Sequence, residues 1–251
     1  MEWKAYVEGG RIDLLILKRL FPPGQGADAL TFDDGDHGTC FRAVQLDQVG
    51  TVQEAHKIAM WLLRRANGVA RVHNDGFRPA ALMGRYEDQS GGVHAVVDVP
   101  TIEWRGAAFG SATVTTGKGD HVPPPPAPAP RQLSLGANEP NVAAALEFLG
   151  APGPLEWFEL YKVLEVIRED VKQRSEVRRG DDALVATGWT TRTDLDRFKD
   201  AANDPTIGGP SARHALRDES RERAEGPPMT QSEGRAYISG LAHSWLDSLL
   251  P

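Results

Sequence analysis

The first third of the chain alternates apolar and polar positions, and the last third repeats them at a helical period. Trp3, Ala5 and Val7 fall on one side of an alternating run that ends at Gly9-Gly10, which predicts a strand and a turn. Leu14, Leu17 and Leu20/Phe21 then follow at helical spacing until Pro22-Pro23-Gly24 stops them. Ala29–Phe32 and Thr39–Val44 are β-prone pieces joined by the turn formers Asp33-Asp34-Gly35-Asp36-His37-Gly38. Thr51-Val52-Gln53-Glu54 reads as a capping box. The helix it opens carries Ala55, Ile58, Ala59, Leu62, Leu63 and Ala66 on one face and is expected to end at Asn67-Gly68, a left-handed stop. Four further strands are expected at Val69–His73, Ala80–Arg85, Val93–Val99 and Ala112–Thr116. The implied order is β-α-β-β-α-β-β-β or close to it, with one strand more if all four form.

Beyond residue 136 only helices are expected. Pro140–Leu149 is a short one, with Pro140 suited to a first turn. Pro154–Gln173 carries Trp157, Leu160, Tyr161, Leu164, Ile167 and Val171 as one apolar stripe against a charged remainder. Ser175–Ala186 is polar and reads as a loop or a fraying end. Thr191 caps a helix to about Asn203, and Ser211 caps a helical piece through about Glu222. Thr230-Gln231-Ser232-Glu233 opens a last helix running from Ser232 to about Leu249.

Between the two patterns lies Val122-Pro123-Pro124-Pro125-Pro126-Ala127-Pro128-Ala129-Pro130, a run suited to an extended polyproline spacer. The fold class expected is therefore α+β: an antiparallel sheet with two helices over residues 1–119, a Pro-rich linker over 120–136, and an all-α bundle over 137–251. A net charge of -7 argues against a basic nucleic-acid platform in bulk. The single cysteine, Cys40, leaves neither a disulfide framework nor a thiolate zinc cage to build, and fits a reducing compartment. No signal-like start and no apolar run near the ~20 residues of a membrane span are present, so a cytoplasmic chain without membrane partners is expected.

Chemistry-bearing residues were weighed against plainer roles. Asp33-Asp34-Gly35-Asp36-His37 lacks the distal glutamate of a calcium loop and reads as a hydrated turn. The seven histidines show no helical metal-ligand spacing, so neither a metal nor a cofactor is expected. Arg71, His73, Arg85, Glu87 and His94 fall on neighbouring expected strands, where a solvent-facing sheet surface accounts for them. The densest segment runs from Asp194 through Asn203 and the Gly208-Gly209-Pro210 bend to Arg213-His214. There a guanidinium suited to phosphate, an imidazole suited to proton transfer and an amide able to hold either lie close in sequence. Capping and packing within a bundle would explain the same residues.

The helix Trp157-Phe158-Glu159-Leu160-Tyr161-Lys162, the helix ending at Asn203, the Arg213-His214 pair and the final helix together resemble a bacterial HEPN-type helical domain over roughly residues 140–250. Many members of that superfamily are dimeric, metal-independent ribonucleases of defence or toxin–antitoxin systems; others only bind nucleotides or partners. Their active pattern separates an Arg from a His by a short spacer, whereas Arg213 directly precedes His214. What the resemblance implies is thus a degenerate, non-catalytic interaction module. The alternative is a ribonuclease with His214 and Arg213 catalytic and Asn203 binding. The partners it admits are RNA or a nucleotide at the bundle, a protein, and a second copy of the chain.

Overall fold

A computed structural model describes residues 2–23, 30–96, 128–214 and 224–250. Five strands form one antiparallel sheet: β1 (Lys4–Glu8), β2 (Thr31–Gly35), β3 (Gly38–Arg42), β4 (Ala81–Glu87) and β5 (Val93–Ala95), in the spatial order β2-β3-β1-β4-β5. Alternation in β1 sends Ala5 and Val7 to one face, where Ala5 stands opposite both Phe41 and Tyr86. Between Ala5 and Val7 the register with β4 shifts, because Met83, Gly84 and Arg85 stand opposite the single residue Tyr6. Gly84 adopts φ +69, and a Cβ there would strike the carbonyl of Val96. The irregularity sets the first half of β4 apart from the β5-paired second half.

The apolar face is covered by α1 (Arg11–Leu20), the short α2 (Val44–Asp47) and α3 (Val52–His73). Thr51 caps α3 by accepting from the Glu54 amide, as the capping box predicts. The end of α3 is not where its sequence suggests. The helix runs through Asn67-Gly68, and Val69–His73 is its last turn and a half, not a strand. Asn67 is spent on a distant backbone: its Nδ2 donates to the Ala80 carbonyl at 2.9 Å and its Oδ1 accepts from the Ala80 amide at 3.1 Å. Gly68 keeps helical geometry and lets the Leu146 carbonyl approach where a Cβ would stand. Packing on both sides overrides the local stop signal.

The remaining helices are α4 (Ala129–Asn138), α5 (Pro140–Leu149), α6 (Trp157–Gln173), α7 (Gly180–Ala186), α8 (Arg192–Asn203), the single turn α9 (Pro205–Gly208) and α10 (Gln231–Ser248), with a 3-10 turn at Gly209–Ser211. The linker expectation fails at its distal end, since residues 129–136 are helical. Pro130 sits in the first turn of α4, where its missing N–H has no helical partner to lose. The segment 175–186 likewise yields α7, whose first turn carries Asp181 and Asp182. Ser211 belongs to the 3-10 turn and not to a helix start. The polyproline residues 122–127, the expected strand Ala112–Thr116 and residues 215–222 lie outside the described residues.

The α6 stripe of Trp157, Leu160, Tyr161, Leu164, Ile167 and Val171 is buried throughout. On its polar side Asp170 is 2 % exposed and accepts from Asn141 of α5 (2.9 Å), Trp245 of α10 (2.9 Å) and Arg174 (2.8 Å), tying three helices together. The buried apolar side chains of sheet and helices make one continuous core. Its link is α3, packed against β4 and α1 on one side and against α5, α4 and α10 on the other. Among the described residues no helix is long and apolar enough to cross a membrane.

Candidate functional site

Thr191 caps α8 by accepting from the Asp194 amide, and Leu195, Phe198, Ala201 and Ala202 anchor the helix in the core. Asp204 ends it and caps α9 by accepting from Thr206 N at 2.8 Å. With Gly209 at φ +67 the chain reverses, and the Arg213 amide returns to the Ala202 carbonyl at 2.8 Å. Asn203 and Arg213 are thereby brought to one corner of the bundle, with His214 beside them.

Their side chains do not make a common centre. Arg213 lies 4.5 Å over the Tyr161 ring and 3.2 Å from a Glu165 carboxylate oxygen, so both its charge and its planar face are used by α6. Asn203 donates from Nδ2 to the Lys199 carbonyl at 2.8 Å, one turn back in its own helix. Its Oδ1 is buried without a hydrogen-bond partner among the described residues. His214 is exposed.

The strand cluster of Arg71, His73, Arg85, Glu87 and His94 does not converge either. Arg71 and His73 belong to the end of α3. Arg71 is buried and donates to the carbonyls of Leu149 (2.6 Å), Ala151 (2.9 Å) and Gly153, fixing the turn between α5 and α6. Burial, reinforced by the nearby charge of Arg235, pulls its guanidinium down to about 10. His73 bonds to Gln132 (2.7 Å), whose amide donates to Asp247 (3.0 Å), while the rings of His73 and His243 meet edge to face at 5.2 Å. Glu87 instead lies on the sheet beside Lys4 and accepts from the Tyr6 hydroxyl at 2.7 Å. His94 bonds to Asp88 at 2.7 Å.

Asp36-His37 forms the two-residue connection of the β2–β3 hairpin, and Asp34 pairs with Lys18 at 2.9 Å. Among the described residues no group of three or more His, Cys, Asp or Glu side chains is placed to hold a metal ion. Cys40 is buried on β3, and burial pushes its thiol up, away from the thiolate a nucleophile needs.

A further hollow lies elsewhere. A cleft of about 630 Å³ opens between α3, the first half of β4 and the turn after α5. Its apolar lining comes from Met60, Leu63, Leu82, Met83 and Val96, and its charged groups are Glu8 and Arg64. His56 and Asn67 reach it already committed: His56 Nδ1 is 2.7 Å from the Tyr86 hydroxyl, and Asn67 clamps Ala80 as above. The sequence carries one local trace of this place. On the exposed stripe of α3, Met60 and Trp61 stand between Lys57 and Arg64, two large apolar residues on a face otherwise charged, and Met60 and Arg64 of these line the cleft. The other wall comes from residues far along the chain, which no local pattern announces. Comparison of the chain with protein-family models, curated proteins and solved structures finds no match.

Proposed function

We propose that this protein is a non-catalytic binding module with a degenerate HEPN-like helical half, and that its ligand site is the cleft between α3 and β4. The observation that carries the reading is the cleft itself. Its volume of about 630 Å³ lies within the roughly 300–1,000 Å³ of small-molecule sites, and its lining is apolar with few polar groups. The Arg213 corner supports the same reading by contrast. A guanidinium engaged by Glu165 and stacked on Tyr161 would have to leave both partners before it could meet a scissile phosphate.

The ribonuclease alternative and the module separate cleanly in one assay. Purified protein is incubated with a labelled single-stranded RNA in the presence of EDTA, alongside His214→Ala and Arg213→Ala. The module predicts no cleavage above buffer in any of the three. Cleavage by the wild-type chain that disappears in His214→Ala overturns the non-catalytic reading and restores His214 as an acid–base group.

A further inference from the structure

The two arginines at the centre of α3 are adjacent and differ in what they meet. Arg65 is buried and pairs through Nη2 with the Glu147 carboxylate at 2.8 Å, its Nη1 donating to the Gly136 carbonyl at 2.7 Å. Arg64 donates only from Nε, to the backbone carbonyl of Glu147 at 2.8 Å. Its charge meets no carboxylate among the described residues, and neither terminal amino group has a described partner. A guanidinium anchored at Nε keeps its plane fixed while offering two parallel N–H donors, the fork that matches a carboxylate.

Arg64 is a charged residue in the lining of the cleft. Arg64 lies at the α5 end, where its own carbonyl abuts Gly150. Glu8 lines the sheet wall, opposite Ala81. Between them stand Met60, Leu63, Leu82, Met83 and Val96, with two methionines able to reshape around an apolar body. Asn67 holds the Ala80 carbonyl with one N–H and the Ala80 amide with its Oδ1, which fixes its amide plane against the strand. An occupant that satisfies this arrangement has one anionic head and an apolar body.

Resting on the cleft as the ligand site, we infer that the ligand is a small apolar carboxylic acid, bound as its anion with the carboxylate on the Nη atoms of Arg64 and the hydrocarbon between α3 and β4. Decanoate, decanol and decylamine serve as matched probes, titrated calorimetrically into the full chain near neutral pH. Decanoate binds at least about tenfold tighter than decanol, the step expected of one charge-assisted bond, and decylamine binds weakest. Arg64→Gln brings decanoate to within about twofold of decanol and leaves decanol unchanged, since only the charged contact is lost. Ala81→Trp, at an exposed strand position on the rim, abolishes binding of all three.

The outcomes distinguish the inference from the reading beneath it. Decanoate and decanol binding equally, both lost in Ala81→Trp, keeps the cleft and overturns the anion. A decanoate preference that persists in Arg64→Gln also overturns it. No binding of any probe overturns both. A peptide ending in a free leucine that displaces decanoate at lower concentration overturns the small-acid source in favour of a chain terminus.

Discussion

Two corners of this molecule are rich in arginine and use it in opposite ways. Along α3, Arg64, Arg65 and Arg71 reach across to the helices after residue 128 and donate to backbone carbonyls of Glu147, Gly136, Leu149, Ala151 and Gly153. Neutral acceptors fix Arg64 and Arg71 in place without cancelling their charge, whereas Arg65 also meets the Glu147 carboxylate. At the α8–α9 corner Arg213 stacks on Tyr161 and meets the Glu165 carboxylate, and its charge is answered there. Sequence proximity made the second corner look functional. Whether a guanidinium has charge to offer is decided by a partner far along the chain, and by that measure the α3 seam is the better-equipped region.

The comparison breaks most sharply at Gly68. Gly68→Val would drive a side chain into the Leu146 carbonyl and is expected to destabilise the fold by more than about 3 kcal/mol in urea denaturation. Gly240, on an open face of α10, is the control: Gly240→Ala should stabilise by up to about 1 kcal/mol. Equal effects at the two glycines would mean that the α3–α5 packing is not close. Arg71→Met follows, removing the donor to three carbonyls of the α5–α6 turn, with a cost of about 2–3 kcal/mol and faster amide exchange over residues 149–155. An unchanged exchange rate there would show that the turn holds itself.

Acid gives a test of intermediate size within the helices. Burial raises Asp170, but hydrogen bonds from Arg174, Asn141 and Trp245 together outweigh it and hold the carboxyl below its ordinary value. A group depressed in the folded state stabilises above its unfolded value, near 3.9, and that contribution is lost as pH falls through the folded value. Asp170→Asn should therefore cost about 2 kcal/mol near neutrality and flatten the acid limb of a stability-against-pH curve. His73 acts in the same direction at higher pH. Burial, with the charge of His243, keeps it below the ordinary imidazole value against the opposing pull of Gln132 and Asp247. Its contribution is present above about 6.5 and fades as pH falls below that, and His73→Gln should make the stability curve less steep on the acid side of about 6.5. The smallest effect belongs to the Arg213 corner. Arg213→Ala, breaking a partly exposed pair, should change stability by no more than about 1 kcal/mol.

How much of this was legible depends on the range of the force involved. Period and caps recovered β1 and α10 to within a residue at each end, and the apolar stripe recovered α6 apart from its start at Trp157 instead of Pro154, because a stripe and a capping box are local statements. They failed at Asn67-Gly68, where the same two residues that end helices elsewhere are recruited by Ala80 and Leu146. They failed again at 129–136, where a proline-rich run enters a helix through its tolerant first turn. Asp170 stands out in no local pattern, since nothing local reveals that Trp245 and Asn141 converge on it. The Arg213 backbone returns to Ala202 beside Asn203, but the partners that engage the Arg213 side chain sit on α6, and Glu165 reads from sequence as surface decoration. The cleft needed two walls, and only the stripe from Lys57 to Arg64 could be seen.

Helix α3 is twenty-two residues long, and both of its flanks are dry. A rod held on two sides cannot be handed to one neighbour without stripping the other. Severing the polypeptide between the sheet and the bundle would leave the first fragment with an uncovered strip from Leu62 to Val72 and the second with a trough of matching length. Such fragments should seek each other in solution, and any swelling at the mouth beside Arg64 would press on Gly150 and so be felt in the far helices.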